Sequence, residues 1–260
     1  MTTHLQPILL TTFAACTVFL AAAAVAGDDL PKTLMAERGK LLVSEDFTKP
    51  LPPFIGTPVG FASGFSGWRY NLGIHGGKWD EIDGVFQGAE NPEAHHPATA
   101  SYGLDFKDAI IQCEVRLDDV PDEGRRSRYL QIKATDTKDY VAVVTLSQGG
   151  LTGRPFDDAH INPANHQRME GTPVHAAVPV KLGEWHTVVL EIKGEEAVGS
   201  VDGQSVTFSD PIVGWDKHSI MFVAGTQGSF RHFRVWEALP NPDWAKNKEA
   251  LAAGNNAARK

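Results

Sequence analysis

Cysteine is scarce in this sequence, where Cys16 and Cys113 are the only two among 260 residues. Cys16 lies in an N-terminal apolar segment that we expect to be removed, so the remaining chain cannot form an intramolecular disulfide. Cys113 alternates with polar neighbours on the same face as Ile111 and Val115, a pattern typical of a buried small hydrophobe rather than a catalytic thiol. Stability must therefore come from packing.

Charged residues are absent from the first 26 residues, MTTHLQPILLTTFAACTVFLAAAAVA. Their apolar run ends in Ala24-Val25-Ala26, and small residues at such a place are typical of the cleavage site of a secretory signal peptide. The run is also nearly long enough to remain in a bilayer as an uncleaved anchor. We predict a signal peptide over residues 1–26 and a periplasmic or secreted protein.

Basic residues are outnumbered, with 24 Lys and Arg against 32 Asp and Glu, which gives a net charge of −8. An acidic chain is a poor ligand for polyanions. We therefore expect neither nucleic acid nor a membrane surface as a partner, apart from the signal segment itself.

Helical periodicity is absent from residues 41–238, where apolar and polar residues alternate with period 2. Short strands separated by turn signals predict an all-β sandwich of two antiparallel sheets. We expect a linker over residues 27–40, the sandwich over 41–238, and a short helix with a disordered tail over 239–260. Long loops are predicted over residues 50–77 and 149–179.

The strand HTVVLEIKG shows how the two faces of a sheet should differ. Its alternation places Val188 and Leu190 on one face and Glu191 and Lys193 on the other. The second face should be at least partly in contact with water, so function should be sought on such polar faces.

Two carboxylates in KWDEIDGVFQGAE raise the question of a glycosidase strand. Glu81 and Asp83 fit the alternating motif of laminarinase-type enzymes, whose catalytic carboxyl groups share one cleft. The second glutamate of that motif is missing, because positions 85 and 86 hold valine and phenylalanine. Asp83-Gly84, like Asp202-Gly203, instead predicts a two-residue hairpin turn.

Histidines and carboxylates concentrate in the two segments NPEAHHPATA, which contains His96, and FDDAH, which contains Asp157, Asp158 and His160. Neutral imidazole and carboxylate groups can bind a divalent metal ion or transfer protons, and they are equally common as solvated loop residues. Their spacing matches no specific metal signature. The sequence therefore leaves a divalent metal open and requires no cofactor.

Two further side chains have both a functional and a structural interpretation. Trp68 can stack on a pyranose ring or pack in the core. Arg128 can hold a sugar hydroxyl or a carboxylate, or it can lie at a solvated hairpin end.

Four segments carry a resemblance to a known family: GKWDEIDGVFQG, FKDAIIQCEVRL, GEWHTVVLEIKGEEAVGSVDGQSV and FRHFRVWEA. They resemble the corresponding segments of the 3-keto-disaccharide hydrolase domain family, and the resemblance spans residues 41–238. His96-Pro97-Ala98, Trp185-His186-Thr187 and the ending RVWEALPNPDW are similar to a subgroup of secreted bacterial proteins in that family.

This resemblance implies a concanavalin-like jelly-roll fold and cleavage of the glycosidic bond of a 3-keto-disaccharide or a related glycoside. A 3-keto group acidifies the C2 proton, so cleavage needs a base and a group that stabilises an enolate. We expect His96 or His160 as the base, Asp157 or Asp158 as its orienting group, and Arg128 near the developing oxyanion. The expected substrate-binding residues are Arg128, Gln131, Lys133 and Trp68.

Two other functions fit the same chain. A non-catalytic lectin-like or laminin-G-like module would hold a glycan with aromatic residues on a polar sheet face. A purely structural sandwich would instead expose an apolar patch to a partner protein.

Overall fold

A computed structural model describes residues 30–49, 67–70, 77–93, 96–121, 128–137, 140–161 and 168–257. For residues 69–70, 156–161, 168–170 and 254–257 it describes the backbone alone. The predicted signal peptide and most of the predicted loop over residues 50–77 lie outside the described residues.

The described chain is built almost entirely of strands, followed by one C-terminal helix. The strands in chain order are β1 (Ala36–Glu45), β2 (Gly67–Tyr70), β3 (Lys78–Ile82), β4 (Val85–Ala89), β5 (Ala98–Phe106), β6 (Ala109–Leu117), β7 (Tyr129–Thr135), β8 (Tyr140–Ser147), β9 (Gly150–Arg154), β10 (Phe156–Ile161), β11 (Arg168–Glu170), β12 (Val174–Ala176), β13 (Trp185–Lys193), β14 (Glu196–Val201), β15 (Gln204–Ser209), β16 (Lys217–Ala224) and β17 (Gln227–Pro240). A 3₁₀ turn spans Pro211–Gly214, and helix α1 spans Trp244–Ala257. No helix within the described residues is both long and apolar enough to span a membrane.

Two antiparallel sheets form a jelly-roll sandwich, which confirms the predicted fold class. The larger sheet has the order β15-β14-β13-β6-β17-β4-β3, with β1 also paired to β17. The smaller has the order β12-β9-β8-β7-β16-β5-β2, and β10 pairs with β11 as a separate ribbon. The core lies between the two sheets because alternate residues of each strand point inward.

Strand β6 illustrates this alternation. Ile111, Cys113 and Val115 are at most 1% exposed and belong to the core. Burial raises the pKa of the Cys113 thiol far above its usual range. Cys113 is therefore a packed residue, as the sequence predicted.

The predicted linker over residues 27–40 contains the start of the first strand. Strand β1 begins at Ala36, and its residues 36–38 pair with residues 238–240 at the end of β17. The sequence AERGK has few apolar residues, so no period-2 pattern marks the strand before Leu41. The strands of the sandwich consequently span residues 36–240.

Glu191 on the outward face of β13 is shielded from water, contrary to the expectation from alternation. Glu191 is 0% exposed. Its carboxylate accepts hydrogen bonds from the backbone N–H groups of Leu34, Met35 and Ala36, at 2.8, 2.7 and 2.8 Å. The segment before β1 therefore covers this part of the larger sheet.

The two Asp-Gly dipeptides form the predicted hairpin turns. Asp83 and Gly84 have φ angles of 50° and 78°, and Asp202 and Gly203 have 48° and 83°, as a two-residue turn of the mirror-image type requires. Ile82 pairs with Val85 across the first turn. KWDEIDGVFQGAE is therefore a hairpin and not one continuous catalytic strand.

The predicted long loop over residues 149–179 is wrong. The structure places β9, β10, β11 and β12 within it. β9 extends the smaller sheet, and β10 lies against β8. The glycine, proline and histidine residues of this segment interrupt the alternation of apolar and polar residues, so the pattern does not indicate strands there.

Candidate functional site

The outward face of the smaller sheet carries the densest arrangement of the predicted binding residues. Along β7, Leu130 and Ile132 belong to the core, so Tyr129, Gln131 and Lys133 point to the opposite side. All three outward side chains are half-buried. Alternation in RYLQIKA is the sequence signal for this face.

Four hydrogen-bonding side chains form a line across adjacent strands of this face. Gln131 is opposite Thr145 on β8, Thr145 is opposite Thr152 on β9, and Thr152 is opposite His175 on β12. Gln131 Nε2 donates to Thr145 Oγ1 at 3.0 Å, and Thr152 Oγ1 lies 3.1 Å from His175 Nδ1. We call Gln131, Thr145, Thr152 and His175 the polar row. Three strand spacings give it a length of about 14 Å.

An aromatic and cationic pair lies beside the polar row. The Lys133 ammonium lies 3.8 Å from the centre of the Tyr140 ring, a cation–π contact that holds both side chains on the outward face. Val143 pairs with Lys133 and points outward as well, yet it is 1% exposed. β10, which follows β9 in the chain, also contacts β8.

Arg128 and His96 lie at one end of the same sheet. Leu130 and Ala98 both pair with Ala224 of β16. Ala98 and Leu130 are therefore about 10 Å apart across the sheet, two strand spacings. Arg128 lies two residues before Leu130 in the chain, and His96 lies two residues before Ala98. By alternation these two earlier residues share the side of the core residues Leu130 and Ala98, so the structure does not place them on the outward face that holds Gln131.

The two side chains have different hydrogen-bond partners. Arg128 Nη2 donates to the Val120 carbonyl, and Arg128 Nη1 lies 3.7 Å from an Asp119 carboxylate oxygen. His96 Nδ1 donates to the Pro97 carbonyl at 2.7 Å. Because Nδ1 carries the proton, Nε2 of the neutral His96 ring is the basic nitrogen.

Asp157, Asp158 and His160 lie on β10, whose ends pair with β11. Their side chains lie outside what the structure describes, so their predicted roles stay predictions. Within the described residues no three His, Cys, Asp or Glu side chains come together as a metal site would need. The predicted metal at FDDAH lies outside that set.

Trp68 lies in the core and not on the surface. It is 8% exposed, and its ring centre lies 5.0 to 5.7 Å from those of five aromatic side chains. The five are Phe47, Phe86, Tyr102, Phe222 and Phe233. A ring packed in this way has no face for a pyranose, so of its two interpretations the structure supports core packing.

Sequence reasoning missed Thr145, Thr152, His175 and Tyr140 as members of this face. Thr152 and His175 fall within the predicted loop over residues 149–179, and cross-strand register cannot be read from one strand alone. Tyr129 and the alternation around it were the available signal.

Comparison with known proteins gives the fold. No protein-family model matches the sequence, and no curated protein matches it. The carbohydrate-binding module CBM66 from Bacillus subtilis is similar with a TM-score of 0.50 and 11% identity, over 68% of this chain and 100% of that chain. SCLam, a non-specific endo-beta-1,3(4)-glucanase from family GH16, gives a TM-score of 0.47 and 13% identity over 78% of this chain and 95% of that chain. The similarity to the carbohydrate-binding module shows a shared fold alone at this identity, and membership of the 3-keto-disaccharide hydrolase family stays a prediction.

Proposed function

We propose that this protein is an exported carbohydrate-active protein that binds its ligand along the polar row. The observation that carries the proposal is the line of amide, hydroxyl and imidazole groups over four adjacent strands. Sugar hydroxyls both donate and accept hydrogen bonds, and each of these side chains can do the same. A line of about 14 Å can contact more than one sugar ring.

Aromatic surface completes this sugar-binding chemistry. Tyr129 and Tyr140 are half-buried on the same face, and their rings supply apolar area while their hydroxyl groups supply polar contacts. The Lys133 ammonium adds one positive charge beside the polar row.

The reaction we propose is cleavage of a 3-keto-disaccharide or a related glycoside. A base takes the C2 proton, an enolate forms at the 3-keto group, and the C1–O bond breaks as the leaving alcohol takes up a proton. Water then adds across the C1–C2 double bond of the enone. His96 Nε2 or His160 is the proposed base, Asp157 or Asp158 orients it, and Arg128 or Lys133 stabilises the enolate.

The second candidate is a module that holds a glycan without cleaving it. One observation favours it: β7, β8 and β9, which form most of the polar row, contain no Asp or Glu. Amide, hydroxyl and aromatic groups suffice for binding, whereas glycosidases as a rule need acid and base carboxyl groups at the scissile bond.

Product release separates these candidates. We expect the chain from Gly27 onward to release monosaccharide from a 3-keto-disaccharide and not from its unoxidised parent, and His96→Ala or His160→Ala to abolish release. Thr207→Ala, on β15 of the other sheet, is the matched control and should retain full activity. A folded protein that binds the keto sugar but releases nothing is a binding module, and one that does neither refutes both candidates.

A further inference from the structure

The larger sheet carries a second arrangement on its own outward face. Strand β6 lies between β13 and β17, with Arg116 opposite Trp185 and Glu114 opposite Arg231. The guanidinium carbons of Arg116 and Arg231 lie 4.7 and 4.1 Å from the centre of the Trp185 ring. We call Arg116, Trp185 and Arg231 the arginine platform. It lies on the sheet opposite to the polar row.

A buried carboxylate fixes the first arginine of the platform. The Asp118 side chain is 7% exposed. It accepts hydrogen bonds from Arg116 Nε at 2.7 Å, Ser229 Oγ at 2.9 Å, Gln87 Nε2 at 2.9 Å and Gln227 Nε2 at 3.1 Å. Four donors hold the carboxylate, so Arg116 is held in one orientation instead of sampling many rotamers.

The second arginine is held in a similar way. Arg231 Nε donates to Glu114 Oε2 at 2.6 Å. A register shift in β17 follows directly after Arg231, and His232 within it has a φ angle of 51°. Bulges of this kind change the direction of the side chains around them. Here the bulge lies next to the side chain that reaches across β6 to Trp185.

The guanidinium groups are the more exposed members of both ion pairs at the arginine platform. The Arg116 side chain is 28% exposed against 7% for Asp118, and Arg231 is 34% exposed against 27% for Glu114. Asp118 is therefore much less exposed than Arg116, whereas Glu114 is only slightly less exposed than Arg231. A chain of net charge −8 thus presents two fixed guanidinium groups, each paired with a carboxylate, at one point of its surface.

Stacking leaves these guanidinium groups able to bind an anion. A guanidinium placed flat on an aromatic ring keeps its N–H donors in its own plane, directed away from the ring, in the fork geometry that matches a carboxylate. Gln87 and Gln227 donate their N–H groups to Asp118, which turns each Oε1 away from the carboxylate. These amide oxygens are acceptors for hydroxyl groups.

We propose that the arginine platform binds the carboxylate of an acidic saccharide, a uronic acid residue. The two arginines bind the carboxylate, and the glutamine amide oxygens accept from the neighbouring hydroxyl groups. This site is separate from the proposed cleavage site and does not depend on it.

Titration of the folded chain with glucuronate, glucose and inorganic sulfate tests the proposal, with NMR shifts of the Trp185 indole N–H as the readout. We expect glucuronate to bind and glucose not to bind. Arg116→Lys and Arg231→Lys should each weaken glucuronate binding by about tenfold, because lysine keeps the charge but lacks the fork. If Arg116→Lys does not fold, Arg231→Lys decides the question.

Controls separate this site from the polar row and from general charge effects. Lys78→Ala removes an exposed positive charge from the same sheet and should leave the affinity unchanged. Gln131→Ala on the smaller sheet should also leave it unchanged. Absence of glucuronate binding, equal binding of glucose, tighter binding of sulfate than of glucuronate, or loss of binding in Gln131→Ala would overturn the proposal.

Discussion

Replacing Glu191 by glutamine tests whether a buried carboxylate fastens the start of the sandwich. Three consecutive backbone N–H groups, those of Leu34, Met35 and Ala36, lie within 2.8 Å of its oxygens. A glutamine of the same shape has one oxygen and one NH₂ group. One or more of the three N–H groups would then face a donor, and the others would bind a neutral acceptor.

The magnitude follows from these contacts. An orphaned buried N–H costs about 1–3 kcal/mol, and each hydrogen bond that loses its charged partner weakens by about 1 kcal/mol. Burial raises the pKa of Glu191, while the hydrogen bonds from the three N–H groups lower it. The neutral amide of glutamine avoids the desolvation cost of the buried charge, which offsets part of the lost stability. We expect Glu191→Gln to lower the free energy of unfolding by about 2–4 kcal/mol.

Urea unfolding followed by circular dichroism measures this change. Glu184→Gln is the matched control, because Glu184 forms an exposed pair with Lys181 and its loss should cost less than about 0.5 kcal/mol. Protease sensitivity of the segment before β1 should rise in Glu191→Gln and stay unchanged in the control. A variant as stable as the control, with this segment equally protected, would refute the reasoning.

Three further predictions concern packing and pH. Burial lowers the pKa of Lys217 from 10.5 to about 8. Between these two pH values Lys217 binds its proton in the unfolded chain but not in the folded one, so the free energy of unfolding should rise with pH, by about 3 kcal/mol at most. Lys217→Met should lack this rise in urea titrations at pH 7 to 10.5, and an identical rise in the variant would contradict the assignment. Trp68→Ala should lower stability by about 3–5 kcal/mol with little effect on sugar affinity in the protein that remains folded, whereas lost affinity at unchanged stability would restore the stacking role. Gly203→Ala should lower the free energy of unfolding by about 1 kcal/mol, because the φ angle of 83° disfavours any residue with a side chain, although no atom lies within 4 Å of the added Cβ. An unchanged midpoint of thermal unfolding would contradict the turn geometry.

Alternation predicted the sandwich and the burial of Cys113, because period 2 reports directly which face of a strand is apolar. The Asp-Gly turns were equally predictable, since a dipeptide that tolerates two positive φ angles is a local signal. The burial of Glu191 was not, because it depends on residues about 155 positions away in the chain. A period-2 pattern indicates that Glu191 lies on a polar face, whether or not another segment of the chain covers that face.

The candidate site was predictable only in part. Gln131 and Lys133 share a face by alternation, and the sequence identified both. Their cross-strand neighbours Thr145, Thr152 and His175 depend on pairing register, which a single sequence does not specify. Trp68 shows the converse problem, since an aromatic side chain has the same pattern in a core as at a sugar site.

The central claim is that a sugar binds along the polar row, and a binding isotherm tests it most directly. Calorimetric titration of a 3-keto-disaccharide should show saturable binding to the wild-type chain and to Thr207→Ala. Binding should be about tenfold or more weaker for Gln131→Ala, which removes the amide that pairs with Thr145. Equal affinity in all three proteins, or no binding to a wild-type chain shown to be folded, would contradict the account.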